Sequence, residues 1–210
     1  MRSLRNWSPR YIVDRISLAI YHRRHPAHPW LTDQAIGILS SWLRPDDVGM
    51  EFGSGRSTMW TASRVGSLIS VEHHRGWYQK VERDLAREGF NHVDYRLVEE
   101  DQNGANPEQS PYVQIAHERA PESMDYVLVD GIFRDECAKA ALPAIKPGGL
   151  LVIDNANWFL PSDTCAPDSV GNSEAPRSER WQEVWKALSD WRRVWTSNGV
   201  FDTVLFFKPC

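Results

Sequence analysis

The chain has 210 residues, enough for one domain that builds its own core without a disulfide or metal staple. Hydrophobic residues make up 41% and charged residues 25%, which excludes a disordered tail and a collagen-like fibre. The 24 basic and 28 acidic residues give a net charge of −4, whereas a generic nucleic-acid binder is basic, so no nucleic-acid partner is expected.

Residues 9–22 read as a helix, with Pro9 early and Tyr11, Ile12, Ile16, Ala19 and Ile20 on helical spacing. The basic cluster His22-Arg23-Arg24-His25 and Pro26 end it. A second helix is predicted over 32–43, with Thr32 as N-cap. Strands follow at 48–52, 67–72, 93–98, 124–129 and 150–153, alternating with helices at 57–65, 75–88 and 134–142. Gly89 fits the end of the helix at 75–88. Residues 103–111, rich in Asn, Pro, Gly and Ser, read as a loop, and Lys146-Pro147-Gly148-Gly149 as a turn. A long loop at 160–178 leads to a helix at 179–190. Trp181, Trp185 and Leu188 make a stripe on it that is expected to be core. Two strands near 192–196 and 200–207 flank an Asn198-Gly199 turn, which signals an antiparallel hairpin. The alternation predicts an α/β fold, a Rossmann-like, doubly wound, mostly parallel seven-stranded sheet. Residues 1–28 are expected to form a helical extension and 29–210 the main domain.

Cys137, Cys165 and Cys210 are too few and too scattered for a metal cluster or disulfide framework, and their odd number suits a reducing compartment. No signal peptide is apparent, and the longest apolar runs are only a few residues, so a cytoplasmic protein is expected.

Polar groups converge on one edge of the predicted sheet. Glu51-Phe52-Gly53-Ser54-Gly55-Arg56-Ser57-Thr58 joins the first strand to a helix, where glycines let the backbone turn sharply near a ligand. Thr58 replaces the third glycine of the dinucleotide pattern, and no Gly-Lys-Ser/Thr occurs. Glu72 ends the second strand and can accept from both hydroxyls of a ribose. Asp130 ends the fourth strand, and Asp154-Asn155 the fifth. Ligands of open α/β sheets bind at this edge.

With these residues the sequence resembles the class I S-adenosylmethionine-dependent methyltransferases. Glu51 to Thr58, Ser70-Val71-Glu72-His73 and Val129-Asp130-Gly131 look closest to a bacterial branch of small members. The resemblance spans about 29–208 and implies transfer to oxygen on a small molecule or saccharide. It implies that Glu51, Gly53, Ser54 and Gly55 hold the methionine part of the cofactor. Glu72 would bind the ribose, His73 would lie beside the adenosine, and Glu99 or Glu100 would approach the adenine. Asp130 would face the methionine amine or the reacting centre. In the metal-dependent members related to the catechol enzyme, matching residues hold a divalent cation, so Asp130, Asp154 and Asn155 leave Mg²⁺ open. Ile132 stands where those members carry a second acid.

Asp130, Asp154, His73 and His74 are candidate bases, and proximity alone is the metal-free alternative. Arg134 is a candidate for an anionic substrate group, and Asn155, Trp158 and Phe159 for the substrate pocket. The basic stretch Arg15 to Arg24, with His22, His25 and His28, suits a solvated helix end or peripheral contact with an anionic lipid or polymer. Oligomeric state stays open. A nicotinamide-dependent oxidoreductase and a non-catalytic cofactor-binding module are the rival readings.

Overall fold

The computed structural model describes residues 8–99 and 106–210. Its strands are β1 (Val48–Phe52), β2 (Ser67–Glu72), β3 (Val93–Leu97), β4 (Met124–Val129), β5 (Ile145–Asp154), β6 (Arg192–Ser197) and β7 (Asp202–Phe207). They form one sheet in the order β3-β2-β1-β4-β5-β7-β6. The first five strands run parallel, and β7 is antiparallel to both β5 and β6. The predicted fold class and closing hairpin are therefore present.

The helices are α1 (Pro9–Arg24), α2 (Asp33–Trp42), α3 (Arg56–Ala62), α4 (Arg75–Glu88), α5 (Pro111–Gln114), α6 (Arg134–Ala141) and α7 (Glu179–Ala187). The central strands are apolar almost throughout because helices cover both faces of a parallel sheet. Side chains alternate between two cores. Val127 and Val129 pack with Val71, Leu151 and Ile153 on one face. Tyr126 and Leu128 pack with Leu68, Leu150 and Val152 on the other. Trp181 and Leu188 are buried in the first core, with Trp185 against it, as their spacing predicts. From β1 the chain steps outward through β2 to β3, then returns to β4 on the other side of β1. That reversal opens a crevice at the carboxyl ends of β1 and β4.

Several elements differ from the sequence reading. Residues 111–118, partly read as loop, form α5 and a following 3-10 turn. Ser110 caps α5 by accepting from the Tyr112 N–H, and Tyr112 is fully buried. Pro, Ser and Asn start helices as readily as they make loops. Lys146 to Gly149 form a bulge inside β5 rather than a turn before it: Met124 pairs with Ile145, and pairing resumes at Tyr126 with Leu150. Lys146 there binds Asp125 at 2.7 Å, and Asp125 also accepts from the Val48 N–H at 2.8 Å. The loop 160–178 is tied down. Asn157, fully buried, donates to Ser169 at 3.0 Å and accepts from the Asp202 N–H at 3.1 Å. Finally, the apolar stripe of α1 faces outward. Ile12, Val13, Ile16 and Ile20 are exposed, while Tyr11 is buried. Among the described residues no helix is long and apolar enough to cross a membrane.

Candidate functional site

The turn after β1 is set by contact between two backbones. Gly53 has φ of 92°, and a Cβ there would lie 2.7 Å from the Gly131 nitrogen. Only glycine accepts both constraints. The Asp130 N–H donates to the Phe52 carbonyl at 2.8 Å, so the ends of β1 and β4 are locked together. Thr58 is fully buried and its hydroxyl accepts the Gly55 N–H at 2.9 Å. That donor is therefore spent inside the turn and unavailable to a pyrophosphate.

Glu72 is buried at the end of β2. Its Oε2 accepts from the Ser54 N–H at 3.0 Å and the Ser54 hydroxyl at 2.6 Å. Its Oε1 accepts from the N–H groups of His73 and His74 at 2.9 and 2.8 Å. One carboxylate thus holds both the glycine turn and the entry to α4. The Ser54 hydroxyl also meets the Tyr95 hydroxyl at 2.7 Å, and Trp77 Nε1 donates to the Ser54 carbonyl at 2.6 Å. His73 Nδ1 lies 3.2 Å from Glu72, with its ring edge-on to Tyr112. His74 caps α4, accepting from the Trp77 N–H. Glu99 pairs with Arg75, whose hydrogen bond holds its carboxyl below the ordinary range. Glu100 lies outside the described residues.

Glu51 is fully buried on β1. Its Oε1 accepts from the Ser70 hydroxyl at 2.7 Å, while its Oε2 is buried without a hydrogen-bond partner. Burial pushes its pKa up to about 7. The Thr58, Ser70 and Ser57 hydroxyls favour the ionised form and nearby Asp130 opposes it, yet none closes a hydrogen bond on Oε2. A buried carboxylate oxygen lacking a donor is costly by itself and is suited to a cationic ligand.

Asp130, Asp154 and Asn155 do come together, but around an arginine. Arg134, at the start of α6, donates through Nη2 to the Asp130 carboxylate and carbonyl, each at 2.9 Å. Its Nη1 reaches the Asp154 carbonyl at 2.6 Å and Asn155 Oδ1 at 3.2 Å. Its Nε meets the Gly131 carbonyl at 3.0 Å. These five bonds use every N–H that a guanidinium has. Arg134 is thereby committed to protein acceptors, and none of its donors is left for an anionic substrate group. The residues also do not fit a bound metal, because the guanidinium already sits among the oxygens that would ligate one. No group of three or more potential His, Cys, Asp or Glu ligands occurs among the described residues.

Asp154 is buried, and its Oδ1 accepts from the Thr203 hydroxyl at 2.7 Å. Thr203 in turn accepts from the Thr32 N–H at the start of α2. Burial, then the Asp130 charge, push the Asp154 carboxyl well above the ordinary carboxylate range. Asp130 is also raised by burial, with Arg134 as the opposing influence.

A cavity of about 710 Å³ opens over these groups. Asp130, Asp154 and Asn155 line it together with Arg15 and His22 of α1, Trp30 and Arg56. Phe159 stacks on Trp181 at 5.4 Å and its ring lies 6.0 Å from the Arg134 guanidinium, Trp158 packs edge-on to Phe159, and neither lines this cavity. Sequence alone points to no site role for Arg56, Trp30, Tyr95, Trp77 or Thr203. Arg56 follows Gly55 directly, and that adjacency was the one available signal.

No protein-family model matches the sequence, and no curated protein matches it. Solved structures do. A provisionally assigned caffeoyl-CoA O-methyltransferase from Staphylococcus aureus is 14% identical with a TM-score of 0.57, covering 98% of this chain and 100% of its own. SMU.1697c from Streptococcus mutans, provisionally assigned as a methyltransferase and solved with S-adenosylhomocysteine, is 10% identical with a TM-score of 0.56, covering 84% and 96%. An rRNA methylase from Streptococcus thermophilus is 11% identical with a TM-score of 0.54, covering 84% and 95%. Strand order, the reversed hairpin and these likenesses agree: the chain has the fold of the class I S-adenosylmethionine-dependent methyltransferases.

Proposed function

We propose that this protein is an S-adenosylmethionine-dependent methyltransferase acting on oxygen of a small hydroxylated molecule or saccharide. The carrying observation is the orphaned, fully buried Oε2 of Glu51 on β1, two residues before the Gly53 turn. It is suited to the ammonium of the cofactor's methionine part, beside the backbone of Gly53 to Gly55. Glu72, buried at the end of β2, suits the ribose. The Ser54 hydroxyl, which has Tyr95 as a second partner, can yield its place on Glu72 Oε2 to a ribose hydroxyl. Thr58 disfavours a nicotinamide dinucleotide, because it occupies the Gly55 N–H.

When bound, S-adenosylmethionine supplies a methyl group on a sulfonium whose sulfur keeps the electron pair of the broken bond. The carboxylates of Glu51 and Asp130 favour that cation electrostatically. The crevice aligns the acceptor oxygen for in-line attack, a step in which orientation alone can remove much of the barrier. In its ionised form Asp154 accepts the hydroxyl proton on its carboxylate as the new C–O bond forms, so turnover rises with pH as this carboxyl deprotonates. Its raised pKa brings it closer to that of the hydroxyl than an ordinary carboxylate is. Arg134 favours the ionised form of Asp130, against the burial that raises its pKa. No step needs a divalent cation. His73 contacts Glu72 and Tyr112, which favours a place on the cofactor side over a role as base.

Calorimetric titration with S-adenosylhomocysteine tests this reading, with and without Mg²⁺. Micromolar binding that Mg²⁺ does not alter is expected, followed by turnover of hydroxylated acceptors. Tight binding of a nicotinamide cofactor with no binding of S-adenosylhomocysteine would overturn it. The net charge of −4 weighs against a nucleic-acid acceptor, and RNA belongs in the acceptor panel as the control.

A further inference from the structure

The cavity above Asp154 carries two nitrogen groups whose donors are not used. Arg56 Nη1 and His22 Nε2 are both buried without a hydrogen-bond partner. Both line the cavity that also contains Asp130 and Asp154. Several other arginines of the described chain differ: Arg64 binds the Trp60 carbonyl, Arg96 binds Asp94 and Glu118, and Arg180 binds Glu108, Glu136 and Glu183. Arg56 instead lies over the Trp30 ring at 5.4 Å, and Trp30 stacks near Trp77 at 6.4 Å. That stack holds the guanidinium in place without using its donors. His22 packs 6.4 Å from the same Trp30 ring. Arg15, two helical turns before His22 on the exposed side of α1, adds positive charge to the same wall.

An unshared cationic wall in a half-enclosed space is unfavourable unless a negative group meets it. Burial and the charge of Arg56 lower the His22 pKa and so disfavour its charged form, leaving the arginines to carry the charge of this wall. The opposite side of the cavity is acidic. The walls therefore ask for a molecule with an anion at one end and a neutral hydroxyl at the other.

We propose that the acceptor carries a compact oxyanion, of the phosphate or carboxylate type, which Arg56 and His22 bind while its hydroxyl is presented to Asp154. A guanidinium suits such a group because it can form paired, charge-assisted hydrogen bonds. The inference rests on the methyl-transfer reading and narrows its acceptor. It also gives α1 a function: the helix closes the acceptor side of the site.

The test titrates the full chain, saturated with S-adenosylhomocysteine in a phosphate-free buffer, with inorganic phosphate and followed by ³¹P line broadening. Arg56→Gln, His22→Ala and Arg56→Lys are measured alongside. Binding to the parent chain is expected, weakened at least about tenfold by Arg56→Gln and less by Arg56→Lys, with S-adenosylhomocysteine affinity held within about twofold. Phosphate that does not bind, or binds equally to the parent and to Arg56→Gln, would overturn the inference while leaving cofactor binding intact. Loss of cofactor binding by the parent chain would instead overturn the underlying reading. A second arm separates two sources of the anion, using vesicles of phosphatidylcholine with phosphatidic acid. Sedimentation with these vesicles that Arg56→Gln abolishes assigns the oxyanion to a lipid headgroup. Phosphate binding without sedimentation assigns it to a soluble acceptor.

Discussion

Glu51→Gln should strengthen the fold and weaken cofactor binding in one stroke. Burial moves the Glu51 pKa from 4.5 to about 7. A carboxyl raised in this way holds its proton more tightly when folded than when unfolded. Between those two values the folded protein binds more protons, so stability falls as pH rises through that window. Above pH 7 the whole penalty is present. At 1.36 kcal/mol for each pH unit, it amounts to about 3 kcal/mol. Glutamine keeps the acceptor for Ser70 and never ionises. At pH 8 the variant should gain up to about 3 kcal/mol, a rise in melting temperature of roughly 8 °C for a domain of this size. Near pH 4.5 the gain should vanish. Affinity for S-adenosylhomocysteine should fall at least about tenfold, because the ammonium loses a charged partner. Thermal melts at both pH values, with calorimetric titration at pH 8, read both effects. A variant less stable than the parent at pH 8, or one that binds S-adenosylhomocysteine unchanged, would refute the reasoning.

Four further outcomes follow from the same geometry. Arg134→Ala leaves Asp130 and Asp154 facing each other without their shared cation, and urea denaturation should show a loss of about 3 kcal/mol. Chelator should leave both the melting temperature and turnover of the parent protein unchanged; a fall reversed by Mg²⁺ would restore the metal reading. Thr203→Val removes the hydrogen bond that favours ionised Asp154. The rising limb of the pH–rate profile should then move to higher pH by roughly half to one unit, and an unmoved limb would argue against Asp154 as the base. Gly199→Ala places a Cβ into the Asp14 carboxylate of α1 at a residue with φ of 77°. It should loosen α1, detected as faster amide exchange over residues 9–24, while leaving S-adenosylhomocysteine binding intact.

Strands and the long helices were legible because one physical rule governs each. Strands buried on both faces read as apolar runs, and the start of β5 is the exception, where a four-residue bulge hides a longer strand. The helix at 111–118 was missed because its capping residues are also loop residues, and a single turn carries too little periodicity to tell the two apart. The positions of Glu51, Glu72, Asp130 and Asp154 at one edge followed from strand ends alone. What each side chain does there did not. Arg134 looked free in sequence, since the carbonyls of Gly131, Asp130 and Asp154 that absorb it are backbone groups present at every residue. The outward stripe of α1 was equally hidden, because spacing tells which residues share a face but not what that face meets.

Two sides of the cavity come from regions of unequal constraint. The turn at Gly53 and the end of β4 touch backbone to backbone, so almost any added atom there disturbs the sheet. The α1 side is different: Arg15 and His22 stand on a helix with only Tyr11 buried. Mutational drift can therefore rewrite the α1 wall while leaving the crevice untouched. Chains of this type could diversify in what they accept without relearning how to fold, and a library randomised at positions 15, 18, 19 and 22 would sample that freedom directly.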